Sequence, residues 1–169
     1  TIMSDKKIDN TSNSYGDDAI VTLSPREHIR LRPGMYVGVV GDGSQPDEAL
    51  YVLIKEVVDN SIDEFIMGAG RQIDITLADN VVTVRDYGRG IPLKSLAAAV
   101  GQMNTGGKYG GDAFKKTVGL NGVGVKAVNM LSEEFTARSV RDGEARTVTF
   151  AKGLEVSDRW ESGVNEKNG

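Results

Sequence analysis

The sequence predicts an α+β fold, with helices packed on one face of a mixed, mainly antiparallel sheet. Three observations carry this. Residues 47–67 are apolar on one side at helical spacing. Two pairs of short strand-like segments flank Asp79-Asn80 and Asp142-Gly143, dipeptides suited to tight hairpins. The strict strand–helix–strand alternation that a parallel sheet requires is missing.

In chain order, residues 1–18 are polar and without period, and read as an arm. Residues 19–169 read as one domain. Ser24-Pro25 is an N-cap followed by Pro at N1, so a short helix should run to Leu31 and end at Arg32-Pro33-Gly34. A loop over 41–46 precedes the long helix Asp47–Met67, which Gly68 closes. Strands are expected at Gln72–Leu77 and Val81–Asp86. Ile73, Ile75 and Leu77 alternate with polar residues, which implies one buried face. Further helices are expected over Leu93–Met103 and from Gly122 to Leu131, around a glycine-rich loop over 104–121. A hairpin, Glu134–Val140 with Ala145–Ala151, comes next. The polar tail 153–169 is read without a strand.

Composition narrows the function. The 169 residues carry 20 Lys+Arg against 24 Asp+Glu, a formal charge of −4, so this piece lacks the basic excess of a nucleic-acid binder. There is no cysteine and one histidine, His28, which removes disulfides, thiolate chemistry and a multi-histidine metal site. No stretch is long enough to span a membrane, and the N-terminus has no signal-peptide core, so a cytoplasmic protein is expected. Glycine is enriched at 21 residues, and its clusters carry the chemistry.

On the long helix, Glu56, Asp59, Asn60, Asp63 and Glu64 fall in a sector about 140° wide. Ile54, Val57, Val58, Ile62, Phe65 and Ile66 cover the rest. A solvated acidic face is one reading of this pattern. The absence of Lys or Arg between 56 and 67 favours another: unpaired acids beside an Asn suit a site that needs a base and an oxygen ligand for Mg²⁺. Asp86-Tyr87-Gly88-Arg89-Gly90-Ile91-Pro92 ends a strand. It offers a carboxylate to an amino group and glycines for close approach of a planar ligand, although an ordinary turn has the same look. Gly119-Leu120-Asn121-Gly122-Val123-Gly124-Val125 opens a helix, where free N–H groups and the helix dipole attract anions. Upstream, Gly106-Gly107-Lys108 reads as a surface loop or as a lid with Lys108 near phosphates. An acid/Asn helix, DxGxG and GxxGxG in this order imply an ATP site, and without GxxxxGK[ST] it is not a P-loop.

That order resembles the GHKL ATPase superfamily of gyrase, a heat-shock chaperone, histidine kinases and mismatch-repair ATPases. Arg32-Pro33-Gly34-Met35-Tyr36-Val37-Gly38, the stretch Glu56–Glu64, Gly88–Pro92, Thr105-Gly106-Gly107-Lys108-Tyr109 and Gly119–Gly124 look like the ATPase region of bacterial type II DNA topoisomerase B subunits, over about residues 12–153. The resemblance implies a two-layer Bergerat sandwich that uses ATP and Mg²⁺. It makes Glu56 the general base and Asn60 the Mg²⁺ and phosphate ligand. Asp86 would accept from the adenine amino group. Arg89 would lie over the adenine and pair with Glu64, and Asp59 would order the network. Ile91 and Pro92 would wall the pocket beside Gly88 and Gly90, and Gly119 through Val125 (Leu120, Asn121, Gly122, Val123 and Gly124 between them) would cradle the phosphates. Lys108 would sit in the lid, and Tyr15 of the arm would reach the nucleotide of a partner copy.

The same resemblance implies ATP-dependent homodimer closure, a topoisomerase A subunit and DNA as partners through parts not present here, and inhibitors at the adenine site. Asn121 stands where gyrase B commonly has His, and Phe114 where a lid Tyr can donate to adenine. These departures lean toward topoisomerase IV over gyrase. By this likeness the chain stops before a final strand and lacks the transducer domain. Another GHKL clamp, of chaperone or mismatch-repair type, is the alternative.

Overall fold

A computed structural model of the protein describes residues 23–42, 44–101 and 124–169. Helix α1, Pro25–Leu31, begins in a capping box: the Ser24 side chain accepts from the Glu27 amide while the Glu27 carboxylate accepts from the Ser24 amide. Arg32-Pro33-Gly34 does not pass directly into loop. A one-turn helix, α2 (Gly34–Val37), follows and buries Val37. The short spacing between prolyl and glycyl residues hides it from a periodicity reading. Helix α3 spans Ala49–Ile66, two residues later than expected at its start, and Gly68 closes it at φ +85°.

Strands β1 (Ile73–Ala78) and β2 (Val81–Asp86) form an antiparallel hairpin. Asp79 and Asn80 both take positive φ at its turn, as a two-residue primed turn demands. The expectation of one buried face is not met: Ile73 is only half-buried, as is its neighbour Asp74. Ile75 and Leu77 are exposed, because burial declines away from the end of the hairpin that carries Asp86. A 3₁₀ turn over Leu93–Ser95 leads into α4, Leu96–Gly101. The expected extension to Met103 lies outside the described residues. Helix α5 is described from Gly124 to Leu131.

Strands β3 (Glu134–Arg141), β4 (Glu144–Ala151) and β5 (Leu154–Ser162) make an antiparallel meander. Residues 154–162 are thus a strand, which corrects the strandless tail expected from the sequence. Lys152-Gly153, both at positive φ like Asp142-Gly143 before them, make a third primed-type turn, and charges at Glu155, Asp158, Arg159 and Glu161 disguise an edge strand as loop.

The two sheets have orders β1-β2 and β3-β4-β5. Residues 164–169 link them. Val140 and Gly169 exchange both backbone hydrogen bonds, at 2.8 and 3.1 Å. Glu166 accepts from Arg138 at 2.6 Å and Arg85 at 3.5 Å, and Arg85 also donates to the Lys167 carbonyl. Leu96 and Val100 of α4 pack on Val148 and Phe150 of β4, with Val125, Phe135 and Ala137 around them. By register, Thr136, Arg138, Thr147 and Thr149 take the opposite, polar face. That arrangement is the expected two-layer α+β form. Buried Asn129 ties α5 to α4 by donating to the Val100 carbonyl.

Candidate nucleotide site

Helix α3 meets the start of α5 and the end of β2, and the candidate residues gather at those two junctions. At the first, Glu56 lies against Gly124. A Cβ on Gly124 would overlap the Glu56 carboxylate where it stands, so a larger residue there would push the end of that side chain aside. Gly124 itself has no positive φ, so the effect is one of space rather than backbone conformation. Val125 turns its side chain into the core, leaving its backbone at the first turn of α5.

At the second junction, Asp86 Oδ1 accepts from the Gly88 amide at 2.9 Å. Asp86 Oδ2 accepts from the Ser61 hydroxyl at 3.4 Å. Ser61 is the buried polar residue of α3, a role that its flanking acids conceal in the sequence. The carboxylate stands in the wall of a cavity of about 200 Å³ lined also by Ser61, Phe65, Gly70, Ile73 and Tyr87.

Glu64 clamps the glycine loop. It accepts from Arg89 Nη2 at 2.6 Å, from Nε at 3.1 Å and from the Arg89 amide at 3.1 Å. Charge-assisted forks of this kind fix geometry as well as charge. Arg89, chiefly by side-chain hydrogen bonds, holds the Glu64 carboxyl below the usual carboxylate range. Gly88 is buried between these groups, since a Cβ there would come within 2.8 Å of Glu64 and 3.1 Å of Asp86. Gly90, at φ +74°, would place a Cβ 2.8 Å from Ser139 Oγ.

Two of the four acids on this face are paired. Glu64 pairs with Arg89, and Asp59 pairs with Lys55 one turn earlier, just outside the window read from the sequence. Asn60 is exposed on the same face. Ile91 and Pro92 are also exposed, and their backbone is held from β3, where buried Ser139 donates to the Ile91 carbonyl at 2.8 Å. Ser139 is a second contributor without a motif, as its polar side chain sits in an alternating strand. Tyr15, Lys108, Phe114, Gly119, Leu120, Asn121, Gly122 and Val123 lie outside the described residues.

Among the described residues no three His, Asp or Glu side chains cluster as a metal site. None of the described helices is long and apolar enough to cross a membrane. Residues 46–156 match the family described as histidine kinase-, DNA gyrase B-, and HSP90-like ATPase. The chain belongs to that family. Within it, the chain is 53% identical over 148 residues to the B subunit of DNA topoisomerase 4 from Borreliella burgdorferi, covering 88% of this chain and 25% of the relative. It is 43% identical over 151 residues to the B subunit of DNA gyrase from Rickettsia conorii, covering 84% and 18%. A crystal structure of the 43K ATPase domain of Thermus thermophilus gyrase B in complex with an aminocoumarin superposes with a TM-score of 0.66 at 27% identity. That match covers 85% of this chain and 36% of the other. The chain spans a quarter or less of these two curated relatives.

Proposed function

We propose that this chain is the ATP-binding and ATP-hydrolysing region of a type II DNA topoisomerase B subunit. The carrying observation is the Glu56 carboxylate seated against Gly124 at the N-terminus of α5, with Asp86 fixed at the other end of α3's contact face. Phosphoryl transfer to water asks for position and charge more than for a covalent nucleophile. Glu56 orients the attacking water and takes its proton. The first-turn amides of α5, with Gly119–Gly122 before them, receive phosphate oxygens. Asp86 accepts from the exocyclic amino group of the base, while the Glu64–Arg89 clamp keeps the glycine loop open to the ring.

The donor set fits Mg²⁺. Exposed Asn60 would offer one neutral oxygen, and phosphate oxygens and water would complete the coordination, the usual habit of this ion. Mg²⁺, when bound, neutralises phosphate charge.

In the parent protein this region drives strand passage by nucleotide-dependent closure of two copies, working with an A subunit and DNA, and inhibitors compete at the Asp86 end. Topoisomerase IV is the preferred member, supported by Asn121, Phe114 and the higher identity to the Borreliella protein. Decatenation without supercoiling by the reconstituted parent is the expected result. ATP-driven negative supercoiling refutes that preference.

Calorimetry with adenosine tests the site itself. Wild type should bind, and Asp86→Asn should lose about 1.5–3 kcal/mol, the value of a hydrogen bond to a charged group. Equal affinity in the two chains removes Asp86 from the site.

A further inference from the structure

Ile91 and Pro92 form the proposed base-site wall, and the turn directly after them is held by a residue outside every motif. Arg146 of β4 is charged and its side chain is only 10% exposed. Its Nη1 donates to the Leu93 carbonyl at 2.8 Å and the Lys94 carbonyl at 3.3 Å, in the 3₁₀ turn directly after Pro92. Its Nε and Nη2 form a fork onto Asp158 of β5, at 2.9 and 2.8 Å. The guanidinium lies 4.7 Å over the ring of Trp160, the chain's single tryptophan.

A buried guanidinium is costly unless its donors are satisfied, and here they are divided between the turn and the neighbouring strand. The Lys ammonium cannot span both groups in this planar way. Together with Ser139 on the Ile91 carbonyl, Arg146 fixes residues 91–94 from beneath.

We propose that Arg146 is a positioning residue for the base site, setting the Ile91–Pro92 wall through the Leu93 and Lys94 carbonyls, with Trp160 as the aromatic group that reports its placement. This rests on the reading of Asp86 as the base acceptor. A base that settles against the wall loads the turn, and the load reaches the guanidinium and the indole beneath it.

The test uses the 169-residue chain as wild type, Arg146→Met, Arg146→Lys and Asp86→Asn. Each is titrated with adenosine and, separately, with Mg-tripolyphosphate by calorimetry. Trp160 emission is followed during the adenosine titration, and thermal unfolding establishes that each variant is folded. Arg146→Met should weaken adenosine about tenfold, the scale of lost hydrogen bonds to a charged group, and leave tripolyphosphate unchanged. Arg146→Lys keeps a charge beside Asp158 but loses the fork, and should stay weakened. Adenosine should change Trp160 emission in wild type and not in Arg146→Met.

Wild-type adenosine affinity in folded Arg146→Met overturns the proposal. So does equal weakening of adenosine and tripolyphosphate, which marks a general structural role, and so does unchanged Trp160 emission in a wild type that binds adenosine. A folded wild type that ignores adenosine, or an Asp86→Asn chain that binds it normally, overturns the base-site reading itself and this inference with it. Binding that needs Asp86 but not Arg146 overturns this inference alone.

Discussion

Replacing Gly124 by Ala sets two effects of opposite sign against each other. Alanine favours an α-helix over glycine by about 1 kcal/mol, and Gly124 already has non-positive φ, so backbone energetics alone predict stabilisation. The added Cβ, however, overlaps the carboxylate of Glu56, and its next contact is Glu56 Cγ at 3.2 Å. The colliding atoms are the far end of a half-buried side chain that can swing aside, so the cost falls near the low end of the range for overpacking, about 1–3 kcal/mol. Gly124→Ala should therefore lie within about 1 kcal/mol of wild type, with Glu56 displaced. In a Glu56→Ala background the colliding atoms are gone, and the same substitution should stabilise by up to about 1 kcal/mol. The coupling energy between the two positions is then about 1 kcal/mol, above the ~0.5 kcal/mol scatter of independent sites. Urea unfolding of wild type, the two single variants and the double variant reads it directly. In the full-length parent, Gly124→Ala should also lower ATP turnover by about 10²–10⁴, because it displaces the proposed base. Additive stabilities across the four chains, together with wild-type ATP turnover in Gly124→Ala, would show that Glu56 does not sit at this helix start.

Acid should loosen the glycine-loop clamp. Glu64 has a lowered folded pKa, so its contribution is complete above the ordinary carboxylate value of 4.5 and is lost as pH falls through the folded value. Glu64→Gln should remove that component from the acid limb of stability measured against pH; an unchanged limb counts against the clamp. Gly90→Ala adds left-handed strain to the overlap with Ser139 and Val140, and should cost about 2–3 kcal/mol in urea unfolding. Ser24→Ala removes the capping box of α1 and should cost about 1 kcal/mol, read as a lowered unfolding midpoint.

Much of this molecule is written in local rules. Ser24-Pro25, Asp79-Asn80 and Asp142-Gly143 place a cap and two turns because each dipeptide answers a backbone demand within four residues. Glu56, Asp86 and Gly124 each have an ordinary reading alone, and only their order along the chain points to a common site. What escaped reading depends on distant partners. Strand β5 looks like loop because its charges face solvent at an edge, and only its pairing with β4 reveals it. Ser61, Ser139 and Arg146 carry no motif, and their roles arise from what folding sets beside them. The pairing of Asp59 was missed by one residue, since Lys55 stands just before the stretch that looked free of cations. The unexpected exposure of Ile75 and Leu77 has the same origin, because alternation defines a face but not the length of the element that covers it.

The wall of the proposed base site is held by its carbonyl oxygens at Ile91, Leu93 and Lys94. Every amino acid supplies that atom. The grip of Ser139 and Arg146 is therefore indifferent to the side chains at 91 and 94, both of which face outward. Such a wall can change its shape and polarity without working loose. Substitutions at 91 and 94 come at little structural cost, while a change at Arg146, which no motif marks, would loosen the wall for any base that rests on it in the proposed site.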